Sequence, residues 1–210
     1  MRLRAILLLL LSGLASLAQA GAEVDICFNY GCQTEARIRY SDSQLEAAAR
    51  MLAGAEDAAR ERALLALVIG QLYGWAGEQS AIRNDRGGDY ADDAVYGRMD
   101  CIDHAESTTR LLRLLETRGW LRFHRVQEVV RRSRFVLDQH FSAVVEEIEA
   151  PLSAHTAAPA PLAVAAPGPA ALVTGRPGVR FVVDSWYYDN GMAAVVLPLD
   201  QWLEGAGPDV

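Results

Sequence analysis

The sequence predicts an α+β domain in which helices pack on an antiparallel sheet. The helix-forming runs lie within residues 41–118, whereas the strand-like runs of the main sheet lie within residues 121–199. Such a separation of helices from strands along the chain is typical of α+β folds. The Asn190-Gly191 pair between two apolar runs indicates a tight hairpin, and tight hairpins join antiparallel strands.

The first twenty residues have the pattern of a secretory signal peptide. Arg2 and Arg4 precede an apolar run that ends at Leu14, and small residues lead to a cleavage site near Ala20. The run is too short to span a bilayer, and no later stretch approaches about 20 apolar residues. We therefore expect a signal peptide over residues 1–20, a periplasmic or secreted protein, and no stable membrane insertion.

The acidic charge balance restricts the class of partner. Removing Arg2 and Arg4 with the signal peptide changes the formal net charge from −7 to −9. Because phosphate backbones repel a strongly acidic chain, general nucleic-acid binding is not expected. The remaining residues suit one domain, and the sequence gives no indication of the oligomeric state.

The three cysteines predict one disulfide and one lone thiol. Cys27 and Cys32 are separated by four residues within a β-like stretch, which predicts an N-terminal hairpin over residues 21–40 with a disulfide across it. Cys101 then has no partner. In an exported protein such a thiol is either buried and inert or retained for its chemistry.

Two helices and a long loop are predicted next. Ser43 and Glu46 form a capping-box signature for the first helix, which runs to about Gly54. Apolar residues at helical spacing predict a second helix over residues 56–73. The polar, glycine-rich stretch 77–97 is expected to be a loop, and long loops inside compact domains are usually functional or disordered.

A third helix and four strands complete the predicted domain. The helix is expected to begin at Cys101 and to end near Arg118, with Gly119 as its stop signal. A break at 131–133 separates the first two strand-like runs, and a short helix over 200–204 closes the chain. The buried face of the third helix is predicted to comprise Ala105, Thr108, Leu111, Leu112 and Leu115. The strand-like runs are 121–130, 134–148, 178–188 and 192–199.

The composition changes between the second and the third of these strands. Residues 150–178 are mostly Ala, Pro and Gly with hardly a charge, a composition that cannot build a packed core. Strand signals continue on both sides of the stretch. We therefore expect an insertion that joins neighbouring strands of one sheet.

The position of Cys101 suits a nucleophile. Unpaired N–H groups and the dipole at a helix N-terminus favour thiolate over thiol. The same N–H groups can bind the oxyanion that forms when a thiolate attacks a carbonyl. A buried, unreactive thiol is the alternative interpretation.

His140 and Asp184 are the predicted partners of this cysteine. His140 lies within an apolar strand that offers it no partner, and Asp184 ends the apolar run Arg-Phe-Val-Val. An ionised carboxylate there is costly unless it is paired. If the two strands pair, Asp184 supplies a hydrogen-bond acceptor to His140, and His140 supplies a donor to the Asp184 carboxylate. This pairing predicts a Cys101, His140, Asp184 triad.

Three short motifs around these residues carry a resemblance to a known family. MDCIDHA, DQHFSAV and FVVDSWY resemble, in order and in local context, motifs of the bacterial transglutaminase-like cysteine proteinases, within the papain-like superfamily. In that family a cysteine opens a helix, a histidine lies on a following strand and an aspartate ends another strand. The separations here are 39 and 44 residues, and the insertion accounts for the longer one. The resemblance covers about residues 64–203.

This resemblance implies a fold and an activity. The fold is a papain-like, transglutaminase-like domain over residues 41–210 with the insertion 150–178. The activity is that of a cysteine peptidase or amidase, which acts on a protein or a cell-wall peptide through a thioester acyl-enzyme. A transglutaminase, which transfers the acyl group to an amine, is one alternative. A non-catalytic binding or envelope-assembly module that retains the fold is another.

Acidic residues crowd the predicted nucleophile. Asp100 and Asp103 flank it, and their charges would raise the pKa of the thiol and oppose the effect of the helix end. Some secreted members of the family bind calcium through acidic residues beside the cysteine, so the resemblance implies a calcium site here as an alternative to helix capping. Asp89, Asp92 and Asp93 are further candidate ligands. The predicted chemistry itself requires no cofactor.

Other residues are candidates for substrate or metal contacts. Trp186 and Tyr187 are expected either to line a substrate cleft or to pack on the edge of the sheet. Gln79 is either a candidate oxyanion donor, the role of a glutamine in papain-like enzymes, or a polar loop residue, since its spacing of 22 residues from Cys101 is long for that role. His104 lies on the same helical face as Cys101, which leaves a zinc site open, although structural zinc needs about four ligands.

Overall fold

The computed structural model describes residues 21–89, 91–134, 138–148 and 178–209 of the chain. The predicted signal peptide and nearly all of the predicted insertion lie outside the described residues. The structure is α+β, with helices packed against antiparallel sheets, as the sequence predicts. No described helix combines the length and apolar character needed to cross a membrane.

The predicted N-terminal hairpin is present. Strands β1 (Ala22–Phe28) and β2 (Thr34–Tyr40) pair antiparallel, so that Ala22 lies opposite Tyr40. Inward-facing Ile26 and Ile38 are fully buried in the main core. The predicted disulfide between Cys27 and Cys32 links the end of β1 to the turn.

Helix α1 (Asp42–Ala53) begins with a different capping box from the predicted one. Its N-cap is Ser41, whose hydroxyl accepts from the Gln44 N–H, while the Gln44 side chain accepts from the Ser41 N–H. The predicted pair, Ser43 and Glu46, was wrong by two residues. Both boxes have a serine three residues before a long polar side chain, and the end of β2 at Tyr40 selects the earlier one.

Helix α2 (Ala58–Gln79) continues well beyond the predicted end at residue 73. Gly70 and Gly77 lie within it because other backbone segments approach closely. A Cβ at Gly70 would lie 2.4 Å from the Met192 carbonyl oxygen, and one at Gly77 would lie 2.4 Å from the Asn190 side chain. These glycines let the chain around Asn190 and Met192 approach the helix closely, and they do not end the helix. A 3₁₀ turn (Ala81–Asn84) begins the loop that leads to the third helix.

The main sheet has four antiparallel strands in the order β3 (His124–Arg134), β4 (Asp138–Glu147), β5 (Arg180–Asp184) and β6 (Val195–Pro198). Ala143 of β4 lies opposite Val183 of β5. The chain leaves and returns beside this pair, since Glu147 N–H donates to Val179 and Gly178 N–H donates to Glu147. The predicted insertion therefore joins neighbouring strands, as expected.

The predicted break at residues 131–133 was wrong. These residues continue β3, and Arg132 lies directly opposite His140 of β4. Their polar side chains resemble a turn in the sequence, but this part of β3 pairs with β4 beyond the residues of β4 that pair with β5, so polar side chains are tolerated there. The continuation brings an arginine beside the predicted triad.

Helices cover both faces of the sheet. Helix α3 (Cys101–Thr117) packs on β4 and β3, and all five predicted residues of its inner face are buried. On the other face, Trp202 of helix α4 (Leu199–Leu203) packs against Val144 and Val182. The N-terminus of α3 and the helix α4 thus lie near the same end of β4, where the candidate site is formed.

Candidate functional site

Cys101 is the first residue of α3, and Asp100 is its N-cap. The Asp100 carboxylate accepts from the N–H groups of Ile102 and Asp103, while Asp103 accepts from the Asp100 N–H. This reciprocal box does not include the N–H of Cys101. That N–H therefore remains a candidate donor to an oxyanion formed at the adjacent thiol.

The Cys101 thiol lies against the backbone of β4. Its Sγ is 3.9 Å from the Gln139 carbonyl oxygen, a long and weak contact. The pKa of the thiol is raised to about 11, mainly by burial and also by the negative charges of Asp100 and Asp184, while the hydrogen bond with the Phe141 backbone acts in the opposite direction. In this conformation Cys101 is a neutral thiol at pH 7.

His140 and Asp184 form a buried pair. His140 Nε2 is 2.8 Å from Asp184 Oδ2, and each residue is 2% exposed. The other Asp184 oxygen accepts from the Trp186 N–H. The mutual requirement inferred from the sequence is thus met by the pairing of β4 with β5. With an ionised Asp184, the proton of the ring is placed on Nε2.

The second nitrogen of His140 is open. Its Nδ1 is buried and makes no hydrogen bond within the described part of the chain. With Nε2 donating to Asp184, Nδ1 carries the lone pair that can accept a proton. Cys101 contacts the residues on either side of His140 in β4, but its hydrogen bond is to Gln139 and not to the imidazole. The structure therefore pairs His140 with Asp184 and places the Cys101 thiol against the backbone of Gln139 and Phe141, without a Cys101–His140 hydrogen bond.

Aromatic rings surround the His140 imidazole. The ring centroids of Trp186, Tyr187 and Trp202 lie 4.8, 5.6 and 5.5 Å from that of His140. Trp202 also donates its indole N–H to Asp184 Oδ2 at 3.0 Å. Its position in the sequence, sixteen residues beyond Trp186, gives no hint of this contact.

Arg132 contacts two of these aromatic residues, Tyr187 and Trp202. One guanidinium nitrogen donates to the carbonyl oxygens of Trp202 and Ala206, and another donates to the Tyr187 hydroxyl at 3.0 Å. The guanidinium also lies 4.6 Å above the Trp202 ring. Tyr187, a predicted cleft residue, is 3% exposed and faces this network, whereas Trp186 does reach the cleft.

The cleft in front of Cys101 has a volume of about 280 Å³. Its walls combine the thiol with aromatic and acidic side chains from the hairpin, the 85–100 loop and the sheet. Apart from Cys101, the residues that characterise it are Tyr30, Phe141, Trp186, Asp89 and Asp100. Gln79 is elsewhere: its amide oxygen accepts from Arg39 N–H and its amide nitrogen donates to the Arg39 carbonyl. In this conformation the oxyanion role predicted for Gln79 has no geometric support.

The acids beside Cys101 bind the hairpin turn. Asp103 accepts from the N–H groups of Tyr30 and Cys32, and Asp100 accepts from that of Gly31. Together with the helix cap, these bonds engage all four carboxylate oxygens with N–H donors. A calcium ligand must direct its oxygen lone pairs at the cation, so this donor set does not fit the calcium site that the resemblance implies.

The turn that these acids bind has an unusual backbone. Asn29, Tyr30, Gly31 and Cys32 all have φ between 57° and 64°, the left-handed region that side chains other than glycine rarely adopt. Successive residues in this conformation direct their N–H groups to one side, where the two carboxylates lie. The disulfide and the carboxylates stabilise a turn that the sequence alone disfavours.

His104 is buried, and both of its ring nitrogens form hydrogen bonds. Its Nε2 is 3.0 Å from Asp85, and its Nδ1 is 2.8 Å from the Ser185 hydroxyl, next in sequence to Asp184. Burial is the largest single effect and lowers the pKa of His104, but the charge and hydrogen bond of Asp85, together with the charges of Asp184 and Asp103, outweigh it, so the net shift is upward. Since both ring nitrogens are engaged, His104 does not fit a zinc site with Cys101. Among the described residues, the one cluster with metal-ligand spacing is Cys27, Cys32 and Glu35, and its cysteines form the disulfide.

Comparison with known proteins gives no family for this chain. No family model, no curated protein and no solved structure matches it. Any function assigned to the chain therefore depends on the geometry of the site and on the chemistry of its residues.

Proposed function

We propose that the protein is a cysteine peptidase or amidase that uses Cys101, His140 and Asp184 to form and hydrolyse a thioester. The observation that carries this proposal is the buried His140–Asp184 pair, whose open Nδ1 lies in the strand segment that the Cys101 thiol contacts. A histidine oriented by a carboxylate, with its other nitrogen available beside a thiol, is the arrangement that activates a cysteine nucleophile.

Each residue has one role in the proposed reaction. As Sγ of Cys101 attacks the substrate carbonyl, its proton moves to Nδ1 of His140, while Asp184 holds Nε2 and stabilises the imidazolium. The Cys101 N–H donates to the oxyanion. The C–N bond then breaks, the leaving amine takes the proton from Nδ1, and a thioester remains. Water, deprotonated by the same nitrogen, hydrolyses the thioester and regenerates the thiol.

A side-chain rotation precedes the first step. In the described conformation Sγ bonds to Gln139, and the thiol has a pKa of about 11. A rotation about χ1 of Cys101, driven by a substrate that displaces Sγ from the carbonyl, would bring the proton to Nδ1. Rotamer changes of exposed or cleft side chains are fast compared with typical turnover.

The architecture supports the papain-like, transglutaminase-like assignment. A cysteine opens a helix that packs on an antiparallel sheet, and the histidine and the aspartate lie on adjacent strands of that sheet. This is the order that the family resemblance implies for residues 41–210. The hairpin that precedes this region is an addition that contacts the helix through Asp100 and Asp103.

Hydrolysis is the proposed outcome, and a protein or a cell-wall peptide is the proposed substrate. A disulfide is stable in a secreted or periplasmic protein, which supports the compartment proposed from the N-terminal sequence. In that compartment water is the abundant acceptor. Transfer to an amine uses the same acyl-enzyme and would require an amine that competes with water.

A non-catalytic module is the competing proposal. The missing Cys101–His140 hydrogen bond and the raised thiol pKa are the observations that favour it. An enzyme needs His140 to activate the thiol, whereas a binding module does not. The reactivity of Cys101 therefore separates the two proposals.

The deciding experiment measures alkylation of Cys101 by iodoacetamide at pH 7, with mass spectrometry of the labelled peptide. We expect His140→Ala to slow labelling by at least about tenfold, the lower range of a general-base contribution. Ser142→Ala, two residues along the same strand and equally buried, is the matched control and should label like wild type. Equal labelling of wild type and His140→Ala would remove His140 as the base and favour the non-catalytic module.

A further inference from the structure

The two acids of the cleft differ in what they can bind. All oxygens of Asp100 accept from backbone N–H groups, so this residue contributes charge but has little capacity for a ligand. Asp89 uses Oδ1 to accept from the Ala91 N–H, and no described residue donates to its Oδ2. Asp89 is also partly exposed in the cleft. It is therefore the carboxylate available to a bound molecule.

Aromatic residues also line the cleft. Two hydrogen bonds hold Tyr30 in place: its N–H donates to Asp103, and its hydroxyl donates to Asp92 at 2.5 Å. Its backbone is part of the left-handed turn. Trp186 also lines the cleft, and its ring lies beside that of His140. Aromatic faces attract cations, and they do so more strongly where water is excluded.

Basic side chains are absent from the described lining of the cleft, so they do not neutralise its carboxylates there. None of the residues that line the cleft in the described structure is basic. Arg98, an arginine of the loop, lies 2.7 Å from Asp92. Arg131 contacts the side chain of Gln139 at the other rim, on the sheet side. The end of the cleft formed by the loop and the hairpin thus presents uncompensated negative charge.

From these contacts we infer that the cleft selects an acyl substrate with a cationic group, an ammonium or a guanidinium, next to the scissile carbonyl. The cation bonds to Asp89 and lies between the rings of Tyr30 and Trp186. The acyl part of this inference rests on the proposed function, whereas the preference for a cation depends only on the walls of the cleft.

A bound cation would also change the nucleophile. Besides burial, the charge of Asp100 contributes to the raised pKa of Cys101. A positive charge in the same cleft acts in the opposite direction and favours the thiolate. Substrates with the cation would thus promote the ionisation on which the attack depends, and neutral analogues would not.

Small thiol reagents of opposite charge test the inference without a known substrate. Methanethiosulfonates transfer an alkylthio group to a thiolate, which forms a mixed disulfide with Cys101 and releases methanesulfinate. The 2-(trimethylammonio)ethyl reagent is cationic and the 2-sulfonatoethyl reagent is anionic. The ratio of their rate constants, divided by the ratio for 2-mercaptoethanol, reports the charge preference of the cleft and removes intrinsic differences between the reagents.

We expect this normalised ratio to be at least about tenfold in favour of the cation for the wild-type protein, the size of one nearby charge in a partly buried site. Asp89→Asn, which keeps Oδ1 for the Ala91 N–H, should reduce the ratio several-fold. Asp93→Asn removes an exposed acid of the same loop outside the cleft and should leave it nearly unchanged. Thermal unfolding of both variants checks that the loop is intact.

Two results would overturn the inference: a normalised ratio of one in wild type, or an equal decrease in Asp89→Asn and Asp93→Asn. The first would show that the cleft has no charge preference, and the second that the preference is a general effect of the acidic loop. Neither result depends on His140. If the ratio is as expected but His140→Ala labels as fast as wild type with iodoacetamide, the proposed enzyme fails while the cation preference stands.

Discussion

Trp202 donates its indole N–H to the same oxygen of Asp184 that binds Nε2 of His140. Two donors on one oxygen fix the plane of the carboxylate, and with it the rotation of the imidazole. The indole itself is held by Arg132, which bonds to the Trp202 carbonyl and lies over its ring. The short C-terminal helix is therefore part of the support of the candidate site.

Trp202→Phe is expected to slow alkylation of Cys101 at pH 7 by about tenfold, which corresponds to ~1.4 kcal/mol. Phenylalanine keeps an aromatic ring against Val144 and Val182 but removes the donor to Asp184. The measurement is the iodoacetamide rate constant together with the thermal midpoint. A purely structural role would lower the midpoint and leave the pH dependence of labelling unchanged, whereas a role in orienting Asp184 alters that dependence.

The pairing of His140 with Asp184 could be predicted because each of the two residues conflicts with its local surroundings. His140 and Asp184 are polar residues in apolar strands, and such residues must find partners. The register that joins them follows from the pairing of β4 with β5, which the sequence indicates through strand signals on both sides of the insertion. Chemistry and pattern therefore led to the same residues.

The role of the acids at Cys101 could not be predicted in the same way. Asp103 bonds to the N–H groups of Tyr30 and Cys32, which lie about seventy residues away in sequence. Those N–H groups converge because three residues other than glycine adopt positive φ, and no local propensity indicates that conformation. Tertiary contacts and the disulfide stabilise it. Arg132 was missed for a related reason, since its polar neighbours resemble a turn when the strand partner is unknown.

The carboxyl of Asp103 predicts how stability changes with pH. The pKa of Asp103 is raised to about 6, because burial and the charge of Asp100 outweigh the backbone hydrogen bonds that the carboxylate accepts. The folded pKa thus exceeds the unfolded value, so the folded state binds the proton more tightly. This contribution stabilises the protein below about pH 4 and is lost as the pH rises through 6.

We therefore expect Asp103→Asn to change the slope of stability against pH between 4 and 6. Whatever its effect at one pH, the variant lacks the titrating carboxyl, so its free energy of unfolding should fall less over this range than that of wild type. Urea unfolding at several pH values measures the slope. Asp42→Asn, an exposed acid in the first turn of α1, is the control. Identical slopes in wild type and Asp103→Asn would contradict the raised pKa.

Removing the disulfide should destabilise the hairpin and change the cleft. With Cys27→Ser and Cys32→Ser together, the left-handed turn loses its covalent closure, and we expect a loss of about 2 kcal/mol in the free energy of unfolding. Because Tyr30 belongs to this turn and lines the cleft, the labelling rate of Cys101 should also change. Denaturant unfolding and alkylation are measured on the same samples. A loss of stability with an unaltered labelling rate would show that the conformation of the turn does not affect the reactivity of Cys101.

The pH profile of alkylation distinguishes a thiol that ionises alone from one that is activated by His140. Without the imidazole, the Cys101 pKa of about 11 leaves only about one thiol in ten thousand ionised at pH 7. The labelling rate of His140→Ala should therefore rise about tenfold per pH unit from neutral pH toward 11. In the wild-type protein, proton transfer to Nδ1 replaces this prior ionisation, so its advantage is largest near pH 7 and disappears as the pH approaches 11. Two parallel profiles across the whole range would show that the thiol reacts without help from His140, even though the two residues lie in adjacent segments of the same site.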